Sequence, residues 1–178
     1  MRRLLIPVGV VAILLVALAA WDFAKLGRQI PPLAAQDDRA TSILIEKQAR
    51  RLTLLRNDAV VKTYDIALGG HPTGHKQQEG DRRTPEGTYA IDFKNQRSRF
   101  HLALRISYPS AADRERARSQ GVAPGSDIMI HGVRNGLGWL GELHRHFDWT
   151  DGCAAVTNTE IEEIWARVDV GTPVTIRP

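Results

Sequence analysis

Asp148-Trp149-Thr150-Asp151-Gly152-Cys153-Ala154-Ala155-Val156 contains the one cysteine of a 178-residue chain. A solitary thiol has no internal disulfide partner, so in an exported protein it calls for another explanation. His131-Gly132 lies 22 positions upstream, and Gly136, Gly138 and Gly141 in between suit a flexible flap over a cleft. A thiol near its free pKa of about 8.5 is mostly protonated at neutral pH, and an imidazole close in space can take its proton. Cys153 is therefore the candidate nucleophile and His131 the candidate base. Gly132 lets a substrate or the chain approach the backbone closely. Gly152 relieves crowding before the nucleophile and can turn backbone N–H groups toward a developing oxyanion. Two other readings stay open on residue type alone. A lone cysteine is often a small buried hydrophobe. His131, His144, His146 and Cys153 also make a legitimate zinc ligand set, although an i, i+2 pair in a polar loop is a weak zinc spacing.

The sequence around these residues is rich in short β segments. Ser42 to Lys47, Arg51 to Arg56 and Ala59 to Leu68 carry β-branched and leucine content, and Asn57-Asp58 is a turn signal, so a meander of antiparallel strands is expected. Gly69-Gly70-His71-Pro72-Thr73-Gly74 ends it in a loop. Thr88 to Phe93 and Phe100 to Ser107 read as strands, Ala111 to Gln120 as a polar helix, and Asp127 to Ile130 as a short buried strand that delivers His131 at its end. Thr157 with Glu160 fits a capping box. Ile161, Ile164, Trp165 and Val168 then fall on one helix face, Gly171-Thr172-Pro173 stops the helix, and Val174 to Arg177 is a last strand. The pattern predicts a mainly β domain with a few short helices, its sheet sandwich-like or barrel-like.

Residues 1–20 open with Met1-Arg2-Arg3 and continue as an uncharged apolar run ending near Ala17-Leu18-Ala19. This predicts a signal peptide or a retained N-terminal anchor, and hence a domain in the periplasm or cell envelope that touches membrane only through this segment. Residues 21–40, with Pro31-Pro32 and Asp37-Asp38, read as a linker. Residues 41–178 suit one domain with one core. The formal net charge is +4, two units of it from Arg2 and Arg3. That is too mild for nucleic acid, and no basic stripe interleaves with aromatics. Arg114, Arg116 and Arg118 read as a solvated helix face.

Three motifs occur in order: Gly80-Asp81-Arg82-Arg83-Thr84-Pro85-Glu86-Gly87-Thr88-Tyr89, Ile130-His131-Gly132, and Asp151-Gly152-Cys153. With them the chain resembles the YkuD-type L,D-transpeptidase family, from about Ile43 to Ile176. The resemblance implies a β-sandwich-like catalytic domain with its cleft under a flap, acting on peptidoglycan stem peptides. It implies that Cys153 forms a thioester with the third, diamino acid residue of a stem as D-alanine leaves, with His131 as base. Gly132 would orient the imidazole through its carbonyl, and Gly152 and Cys153 would offer oxyanion N–H groups. An amine from another stem, or from a protein such as an envelope lipoprotein, would resolve the thioester; water would make the enzyme a carboxypeptidase or amidase. No cofactor and no metal are implied. A wall-binding module without turnover is a further reading, opposed by the intact His131 and Gly152-Cys153.

Two positions depart from the family pattern. Asp151 stands where His or Ser is common, and Ala155 where Arg or Asn is common. The segment is similar to a divergent branch with hydrolytic members, including those that detach an outer-membrane lipoprotein from the wall. Asp151 would raise the thiol pKa, stabilise an imidazolium at His131, or grip the side-chain amine of a diamino acid. Arg82, Arg83 and Arg134 are candidates for stem carboxylates because the guanidinium fork suits them. Trp139 and Trp149 wall the cleft or pack the flap, Trp149 and Tyr89 are candidate substrate contacts, and His144 and His146 are candidate rim residues, whereas His71, His75 and His101 read as surface or loop positions.

Overall fold

In the computed structural model the described residues are 30–178. The expected signal or anchor over 1–20, and the first part of the expected linker, lie outside them. β1 (Ser42–Glu46), β2 (Arg51–Arg56) and β3 (Ala59–Asp65) form the antiparallel meander that the sequence predicts. The turn between β2 and β3 places Asn57 and Asp58 at φ 48° and 66°, the left-handed pair that matches strand twist and that these residue types tolerate.

β4 (Gly87–Ser98) pairs through Gly87–Ala90 with β8 (Pro173–Arg177), which runs parallel to β1. From Ile91 onward β4 pairs instead with β5 (His101–Ile106), with register irregularities between Ile91 and Phe93 and between Asn95 and Ser98. β6 (Met129–His131) is antiparallel to β5, and β7 (Ala154–Ala155) is parallel to β6. The strand order is β3-β2-β1-β8-β4-β5-β6-β7. The segment leaving β3 then returns onto β7: Ala67 and Ala155 exchange two backbone hydrogen bonds of 2.9 and 2.8 Å, and Gly69 bridges Thr150. The two ends of the sheet are thus drawn together, which gives a rolled, mainly β domain.

Helix α1 (Ala111–Ser119) starts at a capping box of Ser110 and Asp113. Helix α2 (Asn158–Arg167) starts at the box of Thr157 and Glu160 and buries Ile161, Ile164 and Trp165. These side chains meet Ile43, Ile45, Leu52, Leu54, Ile91, Leu102, Leu104 and Ile130 in one core. Each such buried aliphatic side chain contributes roughly 2 kcal/mol.

The domain begins earlier than residue 41. Carbonyls at the C-terminal end of α2 have no partner within the helix. The amides of Ala34 and Ala40 take two of them, Ala166 O and Arg167 O, each at 2.8 Å. A 3-10 turn, Gln36–Asp38, lies between, and Ala40 is part of the core. The second half of the expected linker is therefore part of the folded domain. Among the described residues no helix is long and apolar enough to cross a membrane.

Candidate active site

The parallel register of β6 and β7 sets Ile130 beside Ala154 and His131 beside Ala155. Ile130 and Ala154 face the core. Side chains alternate along a strand, so His131 and Cys153 share the opposite face as diagonal neighbours. Both line one cavity of about 940 Å³, together with Phe100, Asp127, Arg134, His144 and Trp149. That volume suits a small peptide.

The His131 ring is 3% exposed, and its Nδ1 lies 2.7 Å from Gly132 O. Nδ1–H donates to that carbonyl, which leaves Nε2 as the basic nitrogen. Phe100 stacks on the ring at 4.6 Å and Trp149 packs edge-on at 5.7 Å. Burial pushes the His131 pKa down to about 4; the Gly132 carbonyl opposes this and His144 adds to it.

Cys153 is partly buried, and its thiol donates to Asp127 O at 3.6 Å. Burial pushes the thiol up to about 11; a Met129 backbone N–H and Lys76 pull it down, whereas Asp151 and Asp127 push it up. The resting site therefore holds a neutral thiol and a neutral imidazole, each hydrogen-bonded to a backbone carbonyl. This environment disfavours a standing thiolate–imidazolium pair. The reason is burial, which neither residue reveals in sequence.

Thr150 holds the turn that carries Cys153. Its hydroxyl donates to Cys153 O at 2.8 Å and accepts from Gly152 N at 3.1 Å. The Gly152 N–H, expected to face an oxyanion, is thus committed to Thr150. Gly152 has φ 124°, and a Cβ there would stand 2.6 Å from Arg83 O. Both the backbone angle and the packing require glycine. Gly132 is required by packing alone: a Cβ would meet Asn158 Oδ1 at 2.8 Å. That carboxamide accepts the Val133 N–H, so α2 braces the His131 strand end.

The Gly80–Tyr89 motif acts through its backbone. Asp81 accepts the Gln77, Gln78 and Arg83 N–H groups and the Lys76 ammonium. Burial opposes ionisation of Asp81, but these partners hold it down to about 2. The ordered loop presents Arg83 O under Gly152.

The other expected contacts divide. Arg134, Trp149 and Asp151 line the cavity. Asp151 is almost fully exposed and its Oδ1 lies 3.7 Å from Arg82 Nε. Two assignments are corrected. The Arg83 guanidinium lies beside Gly74, outside the cavity lining. Tyr89 is 7% exposed, and its hydroxyl donates to Asp113 Oδ2 at 3.1 Å, so it is a core residue. His75, expected at the surface or in a loop, lies in a loop and joins the same cluster, its Nε2 3.1 Å from Asp113 Oδ1. His144 is buried in the cavity wall and His146 is exposed outside its lining.

The glycine-rich segment folds as a 3-10 wall, Gly138–His146, kinked at Gly141. Among the described residues no three His, Cys, Asp or Glu side chains converge as a metal site. Sequence reading missed Phe100, Asp127, Thr150 and Asn158. Thr150 stood inside the quoted segment, three residues before the cysteine; the others meet the site only through tertiary contacts.

A profile of the YkuD family, described as the L,D-transpeptidase catalytic domain, matches residues 40–176. The chain belongs to this family. YafK of Escherichia coli K12, which carries an L,D-transpeptidase name, is 31% identical over 112 residues, 61% of this chain. The match spans 37% of YafK, so this chain corresponds to little more than a third of that relative. The helical cell shape determining protein Pgp2 of Campylobacter jejuni has the same fold, with a TM-score of 0.59 at 24% identity, over 88% of this chain and 54% of Pgp2. Bdellovibrio bacteriovorus Bd1075 superposes with a TM-score of 0.54 at 20% identity, over 83% of this chain and 51% of its own.

Proposed function

We propose that this YkuD domain is a cysteine acyltransferase acting on the peptide stems of peptidoglycan, in the periplasm or cell envelope. The observation that carries the reading is the shared cavity. It holds the one thiol of the chain and an imidazole whose Nδ1 is fixed by Gly132, both placed by a single strand pairing. Family membership supplies the substrate class, and the apolar, doubly arginine-led 1–20 segment supports export.

The resting neutrality of both groups makes proton transfer part of the attack rather than a step before it. The Cys153 thiol gives its proton to His131 Nε2 as sulfur bonds to the carbonyl carbon of the third stem residue. The Cys153 N–H stands at the developing oxyanion, since Thr150 occupies that of Gly152. Collapse of the adduct breaks the amide bond, and the imidazolium returns the proton to the departing D-alanine amine. An acceptor amine, from another stem or an envelope protein, then attacks the thioester and loses a proton to His131, restoring the thiol.

The test is incubation of the protein with tetrapeptide muropeptides and mass spectrometry of the products. Dimers linked through third residues, with a thioester adduct on Cys153, are expected. Cys153→Ala is expected to lose activity by roughly 10⁴-fold or more. Shortened stems without dimers would transfer the reading to hydrolysis by the same thioester. Unchanged products from Cys153→Ala would overturn it.

A further inference from the structure

His144 is buried in the cavity wall, 6% exposed, and its two ring nitrogens are unequal. Trp149 Nε1–H donates to His144 Nδ1 at 3.4 Å, so the ring proton sits on Nε2. Among the described residues that buried Nε2 meets no hydrogen-bond partner. A buried donor without an acceptor is costly, and such groups in folded proteins call for an explanation. The ring belongs to the cavity lining and packs on Trp149, which in turn packs on His131.

We propose that His144 is a substrate-binding residue whose Nε2–H takes a carbonyl or carboxylate oxygen of the stem peptide. The inference rests on the functional reading above and adds one contact to it. The donor stands on the 3-10 wall, whose kink at Gly141 divides it into two short turns. Nε2 is sealed in the wall, so presenting its N–H to a ligand requires the second turn to move. Burial, then the neighbouring Arg145, lower the His144 pKa to about 4, with Glu160 acting the other way. The ring therefore stays neutral through the physiological range, a donor of fixed tautomer and no charge.

The experiment titrates a tetrapeptide stem into the full chain carrying Cys153→Ala, with and without a second change at position 144. His144→Phe keeps a ring and removes the donor. It is expected to weaken binding about tenfold. His144→Gln restores an N–H and is expected to recover most of the affinity. Thermal unfolding separates this role from scaffolding. His144→Phe removes an unsatisfied buried donor and also the acceptor of the Trp149 Nε1–H, so Tm should change little while affinity falls. Equal affinity of the His144→Phe and parent proteins overturns the assignment. So does a parallel loss of Tm and affinity in both variants. Absence of stem binding by the Cys153→Ala parent overturns the functional reading and this contact with it.

Discussion

The domain contains two clusters built on histidine, and they are finished differently. In the first, His75 Nδ1 accepts from Glu86 N and Nε2 meets Asp113 Oδ1. Asp113 also takes Tyr89, Ser110 and Arg116, so the cluster is closed on itself. In the second, His131 spends Nδ1 on Gly132 and His144 spends Nδ1 on Trp149, while a cavity of about 940 Å³ lies against both rings. Complete satisfaction marks polar groups that hold a fold. Incomplete satisfaction beside the cavity that holds Cys153 is what sets the second cluster apart.

This contrast can be broken by substitution. The largest effect is expected at His131→Asn, which keeps a donor toward Gly132 and removes the base; turnover should fall roughly 10²–10⁴-fold, read from product formation, with little change in the unfolding midpoint. The reverse profile is expected at Asp113→Ala. Leaving His75, Tyr89 and Arg116 unpaired should cost on the order of 3 kcal/mol in denaturant unfolding, with turnover per folded molecule unchanged. A comparable loss of turnover in Asp113→Ala would erase the distinction between the clusters.

Acid sharpens it further. His131 and His144 are both lowered to about 4 from 6.5, so the unfolded chain binds more protons than the folded one between those values. Stability is then full above pH 6.5 and declines toward pH 4, by up to about 1.4 kcal/mol per pH unit for each ring. Urea midpoints measured across that range should show the slope, and His131→Asn should reduce it. The smallest effect belongs to Asp151→Asn. This exposed carboxylate raises the thiol pKa only as a secondary influence after burial. Its removal should lower the midpoint of Cys153 alkylation against pH by less than about one unit.

The elements that could be read from sequence were those whose cause is local. Asn57-Asp58 names its own turn, and Thr157 with Glu160 announces the start of α2. Cys153 and His131 could be set together because their motifs occur in the family's order, and the structure lines one cavity with both. Residues whose role depends on distant chain were not. Tyr89 lies in a recognised motif, yet its hydroxyl answers Asp113, 24 positions away. Arg83 matters through a carbonyl that any residue would supply. The direction of both active-site pKa shifts depends on enclosure, which is a property of the assembled walls. The linker extended too far in the sequence reading because the carbonyls that capture Ala34 and Ala40 belong to a helix about 130 residues further along.

β6 and β7 together contain only five residues, and one pairing frame between them decides where the sulfur stands. Sliding β7 by a single position would turn Cys153 inward among isoleucines and leave an alanine methyl where the thiol belongs. Such a chain could still fold around the same core. Deletions or insertions of one residue between Thr150 and Ala154 should therefore be far harder on chemistry than on folding, and any grafting of this loop must preserve its length before its composition.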